Sequence, residues 1–252
     1  MPASYDPLAP VYDEVGMSQF AANITPRLLD YSQQTDWLGR QIMDLGCGTG
    51  VSLAWLAERG YVVAGIDHSA AMLQQTRARL DAGNLSADLF EADIRQPLTH
   101  FVEMDMVLAL NILNELGSLR EIGEVFAHAH TLLAPEKRFI FDLFTIQGLT
   151  EHGQHGDTLT HQSDDLVIFT TNRYDYERQI NHKDHTIFRL EDGGHWSRSA
   201  ATQTLRTFPA QAIAALLQRN GFHNIRVLDL AFRTYEPGVS NAQRVIFIAE
   251  KQ

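Results

Sequence analysis

The sequence predicts an α/β protein: a seven-stranded, mostly parallel sheet with helices on both faces, and an antiparallel β insertion after the fifth strand. Three observations carry that expectation. Between residues 40 and 144, short apolar runs alternate with segments whose apolar residues recur at helical spacing, and strand alternating with helix implies a parallel sheet covered on both faces. From 158 to 208 the chain is rich in Thr, Ile, Phe, Tyr and Arg with approximate period-2 alternation, as antiparallel strands require. After 208, helix and strand resume. The 252 residues suit one full α/β domain with an elaboration.

The first forty residues read as mostly helical, with Phe20, Ile24, Leu28 and Leu29 at helical spacing, although Pro26 argues against one unbroken helix. A strand at 41–45 runs into glycines, and a helix follows from Val51 to Arg59. A strand at 61–66 leads to a helix from Ser69, a suitable N-cap, to Leu80. Strands at 88–91 and 104–110, a helix at 118–133 and a strand at 138–143 complete the first part. The stretch 148–157, with three Gly and two His, reads as loop. Strands are expected at 167–176, 186–190 and 202–208, with Glu191-Asp192-Gly193-Gly194 turning between the last two. A helix from Pro209 to Asn220, capped by Gly221, precedes strands at 225–232 and 244–249.

Composition narrows the function classes. The chain is 44% hydrophobic and 20% charged, ordinary for a globular protein. Its net charge of −11, with no Lys/Arg cluster, speaks against nucleic acid, whose phosphates need clustered cations. No apolar run reaches the ~20 residues of a membrane helix, and the start lacks a basic region followed by an apolar one. One cysteine, Cys47, excludes an internal disulfide and fits a reducing, cytoplasmic setting. A homo-oligomer stays open.

The chemistry begins at the strand running into Gly46-x-Gly48-x-Gly50. Glycines allow a tight turn and close approach of a ligand, and the open amides of the following helix favour an anionic group. Asp67 ends the second strand seventeen residues past Gly50, where a carboxylate can accept both hydroxyls of a ribose. Asp93 follows the third strand, where it can meet an adenine amino group. A glycine turn and two acids at successive strand ends rarely coincide by chance.

Those residues resemble a family. Asp44-Leu45-Gly46-Cys47-Gly48-Thr49-Gly50 resembles motif I of the class I S-adenosylmethionine-dependent methyltransferases, and Gly65-Ile66-Asp67-His68-Ser69 and Glu91-Ala92-Asp93-Ile94-Arg95 resemble the next two motifs. The opening Tyr5-Asp6 … Tyr12-Asp13 is similar to the double Tyr-Asp start of small-molecule members, such as sugar N,N-dimethyltransferases and amine and peptide N-methyltransferases. The resemblance implies a Rossmann-like single domain over 1–252, with an N-terminal helical cap at 1–40 and an insertion or lid at 145–208. It implies S-adenosylmethionine as cofactor, S-adenosylhomocysteine as product and a small-molecule acceptor methylated on nitrogen or oxygen. Carried over by position, Asp44 would accept from the methionine amino group, and Gly46, Cys47, Gly48 and Gly50 would lie against methionine and ribose. Asp67 would hold the ribose, His68 and Met72 would flank the adenine, Asp93 and Ile94 would cover its other side, and Asn111 and Tyr12 would contact the methionine part. Two departures stand out. The family's Pro-Gly-Gly before the fifth strand is Pro135-Glu136-Lys137 here, and of its Glu-x-His-x-x-Arg pattern only Arg206 survives, with Ala201 and Gln203 in the other places.

The acceptor contacts proposed from sequence are Tyr12, Asn111, Asn114, Tyr174 and His195, with Glu115 and Asp142 as further orienting groups. Cys47 fits a packing role better than a reactive thiol. Among the histidines, His152, His155, His161, His182, His185 and His195 show no metal-ligand spacing, so no metal is expected. The nucleophile and metalloprotease motifs Gly-x-Ser-x-Gly and His-Glu-x-x-His are absent. The insertion aromatics Phe169, Tyr174, Tyr176, Phe188 and Trp196 are expected to pack the sheet, with the alternative that some line an acceptor pocket near the strand ends. Two other functions compete: a protein that binds S-adenosylmethionine without transfer, and a nicotinamide-dependent oxidoreductase, whose Gly-x-Gly-x-x-Gly spacing is not met.

Overall fold

The computed structural model describes residues 5–97, 103–153 and 156–252, so His155 lies outside the described residues. In chain order the elements are α1 (Gln19–Gln34), β1 (Gln41–Leu45), α2 (Val51–Ala57), β2 (Val62–Asp67), α3 (Ala70–Ala82), β3 (Asp88–Glu91), β4 (Met104–Ala109), α4 (Leu119–Leu132) and β5 (Leu133–Phe144). The insertion follows as α5 (Ile146–Gly153), β6 (Asp157–Gln162), β7 (Leu166–Asp175), β8 (Ile180–Leu190) and β9 (Trp196–Arg206). The chain closes with α6 (Ala210–Arg219), β10 (Phe222–Asp229) and β11 (Arg244–Lys251).

The large sheet has the order β10-β11-β5-β4-β1-β2-β3, in which β11 alone runs against its neighbours. Its inner strands are apolar on both faces because both are covered. Phe126, Ile122, Ile213 and Leu217 of α4 and α6 pack on one face with Phe139, Phe141 and Phe247. Ile24, Leu28, Leu53 and Leu73 of α1, α2 and α3 pack on the other with Ile42, Met106 and Ile246. Strand order reverses between β1 and β4, and at such a switch point the connections diverge and leave a crevice at the strands' carboxyl ends. The glycine turn and the loop after β4 both open there.

Three local expectations change. α1 is continuous despite Pro26: the packing of Ile24, Leu28 and Leu29 holds it, and the neighbouring Thr25 hydroxyl donates to the Ala21 carbonyl at 2.8 Å. The stretch from 148 is not loop throughout. It opens as part of α5, and Gly148 is required by contact, since a Cβ there would lie 1.8 Å from the Gln243 carbonyl oxygen. β6, unpredicted because it lacks large apolar residues, completes the four-stranded antiparallel sheet β6-β7-β8-β9. Ahead of β5's paired core, Glu136 takes the left-handed conformation (φ 61°) that a glycine adopts without strain.

The insertion sheet covers the N-terminal segment. Leu166, Ile168, Ile187 and Ala201 pack on Tyr5, Leu8, Ala9 and Val11, which in turn reach Met72 of α3. The segment thus lies between the insertion and the helix that follows β2.

Candidate active site

Gly46, Gly48 and Gly50 all have positive φ (75°, 55° and 74°), so the strand-to-helix turn can form here only with glycines or at a strain cost. They serve different ends. A Cβ at Gly48 would meet nothing, so the turn is open to a ligand there, whereas one at Gly50 would strike the Thr76 side chain at 2.5 Å. α3 fixes the turn from outside: Thr76 donates to the Gly48 carbonyl at 2.7 Å and Arg79 to the Thr49 carbonyl at 2.9 Å.

Asp67 is buried and oriented by backbone donors, Gly48 N–H to Oδ2 and Ser69 N–H to Oδ1, each at 2.9 Å. Burial raises its pKa and those donors oppose the rise. A cleft of about 110 Å³ opens beside it, lined by Gly46, His68, Ala92, Asp93, Ile94 and Ile112 among others, and a narrow space of about 40 Å³ adjoins it between Gly48, Met72, Tyr5, Tyr12 and Asn111. Apolar walls from Ala92, Ile94, Ile112 and Leu116 beside the backbone-oriented Asp67 carboxylate suit a nucleoside.

Asp44, on β1 two residues before Gly46, is a buried carboxylate with no hydrogen bond among the described residues. Burial, and then repulsion from Asp67, push its pKa up to about 8. A buried carboxylate within electrostatic reach of a second one, with no ion-pair partner among the described residues, is a costly arrangement. A ligand ammonium or sulfonium would relieve it, so the donor set fits S-adenosylmethionine.

The N-terminal segment closes the cleft, and its Tyr-Asp pairs divide the work. Asp6 accepts from the Ser69 hydroxyl and Asp13 from the Thr49 hydroxyl, each at 2.7 Å, and Asp13 also pairs with Arg79. These anchors lay Tyr5 and Tyr12 over the cleft. Tyr5 donates to Glu115, and Gln203 of β9 donates to the Tyr5 oxygen at 2.6 Å.

Behind the tyrosines lies a larger cavity of about 410 Å³ between the ends of β4 and β5, the N-terminal segment and the insertion sheet. Tyr12 and Asn111 line both it and the narrow space; Glu115 lines both it and the adenine-sized cleft. Burial raises the Glu115 pKa to about 7, against the opposing hydrogen bond from Tyr5. Asn111 is held in the left-handed conformation (φ 62°), with its N–H on Asp142 at 2.7 Å and its side-chain oxygen accepting from Arg244. Arg244 is itself clamped by Asp142 at 2.6 Å and lies over the Phe20 and Phe144 rings. Asp142 is therefore a support for Asn111 and Arg244, buried under them.

Of the residues singled out from sequence, Tyr12, Gly46, Gly48, Asp67, His68, Met72, Asp93, Ile94 and Asn111 line the cleft or the narrow space. Asp44, Cys47 and Gly50 do not. The Cys47 sulfur would lie 2.9 Å from a Cβ at Gly65, so it is packed against β2, and burial raises its pKa rather than activating it. Asp93 faces the cleft, but its carboxylate is bound by Arg95 through Nε at 2.9 Å, which lowers its pKa.

Three expected acceptor contacts lie elsewhere. Asn114 spends its amide on the Arg206 carbonyl at 2.6 Å and its oxygen on the Phe144 N–H at 2.8 Å. Tyr174 is packed against Gly153, outside the cavity lining. His195 is exposed in the β8–β9 turn. The aromatics Phe169, Tyr176 and Trp196 lie exposed, while the inward face carries Thr170, Asn172, Lys183, His185 and Gln203. Lys183 and Arg244 were not marked in the sequence at all.

Comparison with known proteins agrees with this fold. Residues 42–136 match the family model described as a methyltransferase domain. Over 98% of this chain and 97% of its own length, a Bacillus subtilis (strain 168) protein named as a methyltransferase, YqeM, is 28% identical. The crystal structure of an S-adenosylmethionine-dependent methyltransferase from Clostridium acetobutylicum superposes with a TM-score of 0.81 at 18% identity, covering 98% of each chain. The sugar N-methyltransferase KedS8 from Streptoalloteichus superposes at 0.68 and 18% identity, covering 92% of this chain and 86% of that one. The two structures establish the fold.

Proposed function

We propose that this chain, which belongs to the class I S-adenosylmethionine-dependent methyltransferases, methylates a nitrogen or oxygen of a small molecule seated in the 410 Å³ cavity, with Glu115 as proton acceptor. The observation that carries this reading is the position of Glu115, on the wall shared by the cofactor cleft and the cavity. The volume falls in the range of small-molecule sites.

The cofactor supplies a methyl group on a sulfonium, a reaction in which alignment alone provides much of the acceleration. Asp67 would hold the ribose, and Asp44 the methionine ammonium. Ala92, Ile94 and Ile112 would exclude water around the adenine, with Asp93 sharing its carboxylate between Arg95 and the ring. Tyr12 and Asn111 would orient the acceptor, Asn111 being fixed from behind by Asp142 and Arg244.

An amine enters the cavity largely protonated at neutral pH and is no nucleophile until it loses a proton. Tyr5 occupies Oε1 of Glu115, and no hydrogen bond among the described residues occupies Oε2. With a pKa near 7 the carboxyl is poised to accept that proton at physiological pH. The likeness to a sugar N-methyltransferase favours nitrogen over oxygen.

Thermal shifts with S-adenosylmethionine, S-adenosylhomocysteine and NAD in parallel, followed by S-adenosylhomocysteine production across a panel of amines and alcohols, test the reading. Shifts with the sulfur ligands and turnover of at least one acceptor are expected. A shift with NAD alone, or binding with no turnover of any acceptor, rejects it. kcat/KM should rise between pH 6 and 8 as Glu115 ionises, and Glu115→Gln should lower it by about 10²–10³-fold and flatten that rise.

A further inference from the structure

A buried sheet face is normally apolar, and half of the insertion's inner face obeys the rule. Ile168, Ile187 and Ala201 pack on the N-terminal segment. Two to four residues along the same strands, the face turns polar with Thr170, Asn172, Lys183, His185 and Gln203, and these line the cavity. Polar groups placed inward need partners.

Four of the five have them. The Thr160 hydroxyl donates to Thr170 at 2.6 Å, Thr170 meets His185 Nδ1 at 2.9 Å, His185 Nε2 meets the Gln203 oxygen at 3.3 Å, and Gln203 donates to Tyr5. Asn172 accepts from Asn181 at 3.4 Å. Lys183 is the exception. It lies on the central strand β8, paired in register with Asn172 and Gln203. No carboxylate lies within 4.0 Å of its ammonium, and no hydrogen bond engages it, among the described residues. The charges that act on it most are Arg244, which repels it, and Glu115, which attracts it from beyond ion-pair distance. Arg244, a cation itself, is bound to Asp142 and Asn111, and Glu115 is turned to Tyr5 through Oε1, so neither forms an ion pair with Lys183.

We propose that the acceptor carries an anionic group, a carboxylate or a phosphate, and that Lys183 receives it while the reacting atom faces Glu115 at the other wall of the cavity. This rests on the methyl-transfer reading of the same site. Asn172, the register partner of Lys183, and Thr158 and Thr160, one strand further on, line the same cavity and supply further hydrogen-bonding groups for oxygen atoms. Burial and Arg244 lower the Lys183 pKa, and an incoming anion would restore it. The acceptor is then an amine or alcohol with an acid at its far end, such as an amino acid or a sugar phosphate.

The test starts from protein saturated with S-adenosylhomocysteine, titrated calorimetrically with inorganic phosphate and, separately, with acetate. Saturable binding of at least one is expected, weakened tenfold or more in Lys183→Gln and kept within about threefold in Lys183→Arg. The anion that binds identifies the group. Binding of neither, or equal binding by wild type and Lys183→Gln, overturns the proposal. If Lys183→Gln does not fold, labelling of the wild type decides: phosphate or acetate at saturation should slow modification of Lys183 by an amine-reactive reagent, and absence of protection overturns the idea. Failure of S-adenosylhomocysteine to bind would sink the methyl-transfer reading instead. The same titration of cofactor-free protein then tests Lys183 on its own.

Discussion

At the scale of single residues, Asp44 is the sharpest test of what the cleft is for. Its pKa of about 8 in the folded protein lies far above the ordinary 3.8. The folded state therefore holds this proton more tightly than the unfolded chain. The associated stability is full below pH 4 and is lost as pH rises from about 4 to 8. Asn, which is neutral throughout, escapes that loss. Cofactor-free Asp44→Asn should thus gain stability over the wild type as pH rises from 5 to 8, by about 1–4 kcal/mol, in thermal melts run across that range. With S-adenosylhomocysteine present that advantage should shrink by about 1.5–3 kcal/mol, since the ammonium loses its charged partner. A variant stabilised equally with and without ligand would show that Asp44 does not meet it. Asp67→Ala should lose a similar ~1.5–3 kcal/mol of affinity, and unchanged binding would refute its assignment. The cleft-lining Asp67, Gly46 and Gly48 could be singled out in the sequence because they sit within a few residues of strand ends that the local pattern predicts. Lys183 and Gln203 were not, because a residue on a polar strand face acquires a role only when another part of the chain is laid against it.

At the scale of elements, the informative failure is α5. Its Gly and His content suggests a loop, yet Gly148 is there because α5 crosses the start of β11 in backbone contact. The Gln243 carbonyl accepts from Thr145 N–H at 3.0 Å, and Gly148 packs on that same carbonyl. Because the obstacle at 1.8 Å is backbone, it cannot rotate away as a side chain would. Gly148→Ala should cost about 2–3 kcal/mol of stability, read as a lower denaturant midpoint with unchanged slope. A midpoint within error of the wild type would mean that α5 can lift off without consequence. Pro26 teaches the converse: a strong local breaker was tolerated because the apolar face of α1 is buried against α2 and the sheet. In both cases tertiary contact, invisible in a local window, decided the element.

At the scale of the whole molecule, the large sheet was readable and its relation to the insertion was not. Alternating strand and helix patterns fix the order of elements along the chain, but nothing local says which face of an antiparallel sheet will meet the crevice. The outward aromatics were a misleading cue for that reason: Phe169 and Trp196 are about half exposed, and the polar face turns in. The architecture makes the division of labour separable by experiment. Asn114 bonds the Phe144 N–H with one end of its amide and the Arg206 carbonyl with the other, so the chain enters and leaves the insertion within the reach of one side chain. Residues 146–206 can therefore be replaced by a short Gly-Ser linker without straining β5 or α6. The seven-stranded sheet should survive, because its two core clusters draw nothing from the insertion. The N-terminal segment should not stay in place, since Leu166, Ile168, Ile187 and Ala201 form its cover. Loosening Tyr5 and Tyr12 should weaken S-adenosylhomocysteine binding about tenfold, or ~1.4 kcal/mol, while leaving it saturable, because Asp44 and Asp67 belong to β1 and β2. Methyl transfer should fall below detection, because the cavity loses Lys183, His185 and Gln203 together. Persistent transfer by a shortened protein whose circular dichroism shows the sheet intact would place the acceptor somewhere other than the 410 Å³ cavity.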